Sequence, residues 1–132
     1  MTDVWKDLGF YIVVFIGGLQ TISSDLYEAA QVDGSNRFQS FYYITLPLLT
    51  PTILFLSVIG LINAVQIFSQ PYVLTMGGPG DATRTVVMYI YEQGFKFFNM
   101  GYAATIALSL SIVLFGLTAL QFWLSRRWVF YQ

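Results

Sequence analysis

Apolar positions in this chain fall in long unbroken runs, not in the spaced stripes of a water-soluble helix. Leu8 to Ile22 (LGFYIVVFIGGLQTI), Leu48 to Leu74 (LLTPTILFLSVIGLINAVQIFSQPYVL) and Gly101 to Leu124 (GYAATIALSLSIVLFGLTALQFWL) contain no Asp, Glu, Lys or Arg. At the helical rise the first run covers about 22 Å, short of a hydrocarbon core of about 30 Å, while the other two are long enough to span with tilt. A β-barrel would show short alternating segments instead. The pattern predicts an all-α transmembrane fold with about three membrane helices. Segment 8–22 is expected to be a membrane helix lacking its upstream end. A signal peptide suits it poorly, because Asp3 and Asp7 stand where positive charge belongs and no small-residue cleavage site follows. Pro47 and Pro51 suit the start of the second span, where missing donors cost little, and Pro71 suits its end.

The polar stretches between the runs carry local structure of their own. In 23–47, Ser23, Ser24 and Asp25 offer helix caps, and Asp25 with Glu28 has the spacing of a capping box. LYEAAQV is a good short helix, and Asp33-Gly34 ends it, since glycine tolerates a left-handed residue. Ser35 or Asn36 then caps a second short helix carrying Phe38, Phe41, Tyr42 and Ile44, expected to stop before Pro47. The segment therefore predicts helix, tight turn, helix, with an exposed part made of Glu28, Ala29, Ala30 and Asp33. Small side chains with two acids suit docking to a protein partner on one side of the membrane. In 75–100, Gly77, Gly78, Pro79 and Gly80 break the chain. Val86 to Met100 is amphipathic, and Glu92 and Lys96 suit a solvated i,i+4 pair on an interfacial helix. Residues 125–132 form a tail in which Arg126 and Arg127 stop the last run beside Trp123 and Trp128.

Composition narrows the classes. Of 132 residues 56% are hydrophobic, 18% aromatic and 10% charged, against about 25% charged in soluble domains. So few charges could not cover a globular surface of this size. The net charge of -1 gives no basic patch for nucleic acid, and the absence of Cys and His removes thiol, imidazole and zinc chemistry. No metal site and no cofactor is expected. Lys and Arg near the helix ends divide evenly, with Arg37, Arg126 and Arg127 on one side and Lys6, Arg84 and Lys96 on the other. Charge therefore leans only weakly, through the Arg126–Arg127 pair, toward a cytoplasmic C-terminus.

Asn63, Gln66 and Gln70 stand at i, i+3 and i+7 in the second run. Amides in hydrocarbon are costly unless they face a cavity or a partner, so they either line a solute path or hold helices together. Gly101, Ala103, Thr105, Ala107, Ser109 and Ser111 give the last run small-residue faces suited to helix packing. GGPGDATRT lacks the Lys of a phosphate-binding loop. No carboxylate lies inside a span, which argues against a proton relay. Glu92 is the one residue with any appeal for an intramembrane enzyme.

Glu28-Ala29-Ala30, three residues, Gly34, nine residues, Ile44, one residue and Leu46-Pro47 resemble the EAA signature of binding-protein-dependent ABC importer permeases. Asp33 and the aromatic run ending ITLPLLTP resemble the carbohydrate-uptake branch, which includes maltose and glycerol-phosphate permeases. WKDLGF, FIGGLQTI, the GGPG loop and the RRW tail resemble that branch too, so the likeness covers nearly the whole chain. Such permeases have about six helices, and this chain resembles their C-terminal portion.

The resemblance implies a function that composition does not. Residues 23–47 would be a cytoplasmic coupling segment that enters a groove on an ATPase subunit. Glu28 would meet basic or donor groups, Ala29 and Ala30 would allow close packing, Asp33 would precede the turn and Gly34 would make the bend. Residues 77–80 would lie outside. The partners implied are ABC ATPase subunits, a second permease subunit, an extracytoplasmic solute-binding protein and membrane lipid. The location implied is a bacterial or archaeal cytoplasmic membrane. ATP hydrolysis would belong to the partners, so the chain itself is not expected to be an enzyme. A permease for glycerol phosphate or peptide, and a non-transporting membrane scaffold, are the alternative functions.

Overall fold

The computed structural model describes residues 2–126, with side chains from Trp5 onward. The described residues are helical throughout their ordered elements, with no strand. In chain order they form α1 (Thr2–Gln20), α2 (Ser24–Val32), α3 (Arg37–Ser40), α4 (Leu46–Leu48), α5 (Thr50–Val65), α6 (Ser69–Leu74), α7 (Val86–Tyr91) and α8 (Met100–Ser125). Two π-helical turns interrupt them, at Phe41–Thr45 and Glu92–Lys96. Thr50–Leu74 and Met100–Ser125 are long and apolar enough to cross a membrane. There are three such spans if α1 from Trp5 and α2, bent by 60°, count as one. Arg127 and Trp128 of the tail lie outside the described residues.

The chain divides into two compact units, one formed by residues up to Ser57 with the end of α8 from Phe122, the other by Val58–Gln121. In the first unit Ile22, Thr45, Leu49, Thr50, Leu54 and Leu56 are buried. Gly18 of α1 sits so close to α5 that a Cβ there would lie 2.6 Å from Thr52 Oγ1 and 3.2 Å from Leu49 Cδ2. Small residues permit this approach where lipid, not water, surrounds the helices. In the second unit Met88 is the most deeply buried side chain, and Gly94 faces Ala103 across 3.4 Å from where its Cβ would be.

Three elements differ from the sequence expectation. The first helix extends upstream of the apolar run, because α1 is helical from Thr2 rather than from Leu8. The second insert helix does not stop before Pro47: the chain is helical or nearly so from Arg37 to Val65. The π turn makes this possible. Its Leu46 N–H bonds to Phe41 O, a wider ring than the α-helical one, just where Pro47 removes a donor and crowds the carbonyl four residues back. Pro51 likewise leaves Pro47 O without an i+4 donor, and the Thr50 hydroxyl donates to it at 2.6 Å.

Nor is 48–74 one unbroken helix. The α-helix lapses at Gln66–Phe68 and resumes at Ser69. Pro71 sets that position, since its ring would press on Ile67 O in a continuous helix. Phe68 and Tyr72 stack at 5.0 Å beside the break, and Tyr91 meets both rings at 5.4 and 5.5 Å.

Candidate functional site

The insert is built by two local devices. The Ser23 hydroxyl accepts from Asp25 N–H at 3.3 Å and opens α2. At its other end Ser35 N–H bonds to Ala30 O at 2.9 Å and Gly34 N–H to Gln31 O at 3.0 Å, with Gly34 at φ +81°. That pairing is the Schellman closure, which needs a left-handed residue at Gly34's place. A Cβ on Gly34 would meet nothing within 4 Å, so backbone conformation alone asks for glycine there. Asn36 Oδ1 accepts from Gln39 N–H while Gln39 Oε1 accepts from Asn36 N–H, both at 2.9 Å. The capping box thus lies at Asn36–Gln39 rather than at Asp25–Glu28. Gln39 can reach back, whereas Ser23 has already taken the first α2 donor.

The turn brings the two insert helices together. Tyr27 OH and Thr45 Oγ1 share a hydrogen bond of 2.7 Å, which ties α2 to the π turn that leads into α5. Ser35 and Ser40 hydroxyls are 3.0 Å apart. On α2 Glu28 and Ala29 are exposed, as are Asp33 and Gly34 after it, while Ala30 is half-buried. Between α2 and α3 lies an open cleft of about 710 Å³ whose polar lining includes Gln31, Arg37 and Ser40. Phe38, Phe41, Tyr42 and Tyr43 are 51–76% exposed, so the aromatic side of the insert has no cover within the described residues.

The three amides of the second run are separated by the break. Asn63 is exposed on α5, Gln66 stands at the end of that helix, and Gln70 is half-buried in α6. The face they would share in a continuous helix is therefore not formed by one. Gln66 alone among them lines a cleft of about 280 Å³, together with Ile62 of α5 and Ser111, Leu114, Phe115 and Thr118 of α8.

A polar cluster in 75–100 goes beyond the local pattern. Glu92 is 12% exposed in its side chain, so it is not a solvated surface group. Lys96 Nζ donates to its Oε1 at 3.2 Å, and Arg84 Nη2 donates to its Oε2. Arg84 also reaches Asp81 at 3.3 Å and lies 4.9 Å over the Tyr89 ring. Burial pushes the Glu92 carboxyl up, but the hydrogen bonds from Lys96 and Arg84 outweigh it and hold the group below the usual carboxylate value. The Glu92 hydrogen bond raises Arg84 above its ordinary value. Sequence spacing exposes the Lys96 partner but not Arg84, which stands eight residues upstream at the other end of α7. The one available signal is that Arg84 is the only cation between Arg37 and Lys96. Among the described residues no group of His, Cys, Asp and Glu could hold a metal ion.

Residues 4–130 match the family described as the binding-protein-dependent transport system inner membrane component. The sulfoquinovosyl glycerol transport system permease protein SmoG of Agrobacterium fabrum is 42% identical over 118 residues, which cover 89% of this chain and 37% of that protein. A permease protein of Caldicellulosiruptor sp., ORF1, is 38% identical over 93% of this chain and 88% of its own length. The trehalose/maltose transport system permease protein MalF of Thermococcus litoralis is 42% identical over 76% of this chain and 33% of its own. This chain therefore spans about a third of SmoG and of MalF. The family match covers the insert and both spans, and by it the chain belongs to the binding-protein-dependent transport system inner membrane components.

Proposed function

We propose that the chain is part of the permease subunit of an ATP-driven importer, and that residues 23–47 couple it to an ATPase. The observation that carries this reading is the geometry of the insert. Glu28, Ala29 and Asp33 are presented outward on and just after a short helix that Gly34 closes, and Tyr27 fastens that helix to the root of α5. A rigid exposed helix joined through a hydrogen bond and a helical turn to a membrane span can pass a displacement on. A floppy loop could not. Closure of an ATPase dimer would rock α2, and the rocking would move α5. ATP hydrolysis stays with the partners, and a second permease chain and an external solute-binding protein complete the assembly.

The solute we assign is a carbohydrate. SmoG and MalF are named for a sulfoquinovosyl glycerol and for trehalose and maltose. No Lys or Arg lies in Thr50–Leu74 or in Met100–Leu124, so these spans offer a solute hydrogen-bonding groups rather than cationic side chains. Asn63, Gln66 and Gln70 are the candidates for contact with solute.

The test is co-purification of the full-length permease with the ATPase subunit of its operon. Wild type is compared with the Glu28→Ala, Gly34→Asp double variant. Capture by wild type, lost in the variant with membrane insertion unchanged, is the expected result. Equal capture by both would remove the insert from the interface.

A further inference from the structure

The cleft between α5 and α8 carries more than the sequence assigned to it. Its α8 wall holds two hydroxyls, Ser111 and Thr118, seven residues apart and so on one face. Ser111 lies about 17 Å along α8 from Met100, near mid-span. Gln66 closes the cleft from the end of α5, where the lapse before Pro71 ends the helix. Phe115, 76% exposed, and Leu114 lie between the hydroxyls. Among the described residues no charged side chain lines the cleft.

Resting on the importer reading above, the geometry points to a solute-selecting role for Ser111 and Thr118, which read the hydroxyl groups of a sugar together with Gln66. Three features favour this over helix packing. First, an amide and two hydroxyls line one cleft, at a depth where an amide is costly unless it faces a cavity or a ligand. Second, the chemistry on offer is directional. Ser111 Oγ spends its proton on Ala107 O at 2.9 Å, so toward the cleft it can only accept. It therefore selects a ligand that donates, which a sugar hydroxyl does and an ether or a deoxy position does not. Third, the apolar remainder includes an exposed phenyl face, against which the C–H side of a sugar ring can lie. The volume, about 280 Å³, is at the small end of ligand pockets and suits one sugar unit rather than a chain.

The experiment is uptake by the full-length transporter with its partner subunits in proteoliposomes. Probes are maltose, trehalose, arabinobiose and, as the anionic control, glycerol 3-phosphate. For the transported sugar, Ser111→Ala and Thr118→Val should each raise KM about fivefold with kcat little changed, the size expected for one hydrogen bond. Ser111→Thr, which keeps the hydroxyl, should restore KM. One singly deoxygenated analogue should lose affinity in wild type and lose no more in Ser111→Ala. Unchanged KM in both variants, with sugar uptake intact, would overturn this inference and leave the importer reading standing; the cleft would then hold lipid or another helix. Loss of kcat alike for every solute, with no KM change, would assign the hydroxyls to packing and also overturn it. Uptake of glycerol 3-phosphate in place of every sugar would overturn the carbohydrate reading itself.

Discussion

Gly34 acts through its backbone alone. Its φ of +81° costs an L side chain about 1–2 kcal/mol, and there is open space where that side chain would go. Gly34→Ala should therefore fold but loosen the α2 end. The Ser35 amide, bonded to Ala30 O, should exchange about tenfold faster in detergent micelles, and an unchanged rate would remove the strain argument. Glu92 makes the opposite case, because its partners matter and its backbone does not. Its folded pKa is depressed, so the stability it lends is present above the ordinary carboxylate value of 4.5 and is lost only as pH falls through its lower folded value. Protection of the Gly77–Thr85 loop from protease should stay flat from pH 7 to about 5 and fall only below the ordinary value, while Glu92→Gln should show the weakened protection already at pH 7. Gly34 was legible in the sequence because a turn is decided within a few residues. The Arg84–Glu92 pair was not, because Arg84 stands before the Thr85 cap of α7 and no i,i+4 spacing relates it to Glu92 at the far end of that helix.

Between elements, the contact of α1 with α5 rests on the absence of one side chain. Gly18→Val would place carbon on Thr52, and overpacking of this kind costs about 1–3 kcal/mol. Thermal denaturation in detergent should show the loss, and adding Thr52→Ala should return part of it; equal stability of single and double variants would mean α1 moves aside freely. At the break, Pro71→Ala should let α5 and α6 fuse. The Ile67 and Phe68 amides would then gain protection from exchange. A proline's effect on its own helix is local, and its presence near the end of the span was readable. Where the lapse falls, and that Gln66 is left at a helix end beside α8, depended on the ring's clash four residues back and on the neighbours waiting there.

At the scale of the molecule, the two spans are nearly uncovered: 11% of the apolar window of Thr50–Leu74 and 6% of that of Met100–Ser125 are buried. Leu108, Ile112 and Phe115 are 66–76% exposed. In water such a surface would aggregate, so its surroundings must be lipid or other helices. If Thr50–Leu74 spans, positions before and after it lie on opposite sides. The chain has no Cys, which makes single-cysteine labelling clean. In sealed right-side-out vesicles of the full-length permease, Asp81→Cys should react with a membrane-impermeant maleimide and Ser23→Cys should react only after lysis. Labelling of both from outside would refute the crossing.

The sequence by itself determined that the chain is helical, that it carries membrane-length apolar segments and where the insert turns. Each of these follows from short-range physics: the length of an apolar run, the φ that glycine allows, the donor that proline lacks. The family signature was also legible there, because its fixed residues lie within one segment. Only the tertiary structure decided which separated groups meet. Tyr27 finds Thr45, Arg84 finds Glu92 from the other end of α7, and Gln66 comes to line one cleft with Ser111 and Thr118, because packing joins positions that no i,i+4 spacing relates.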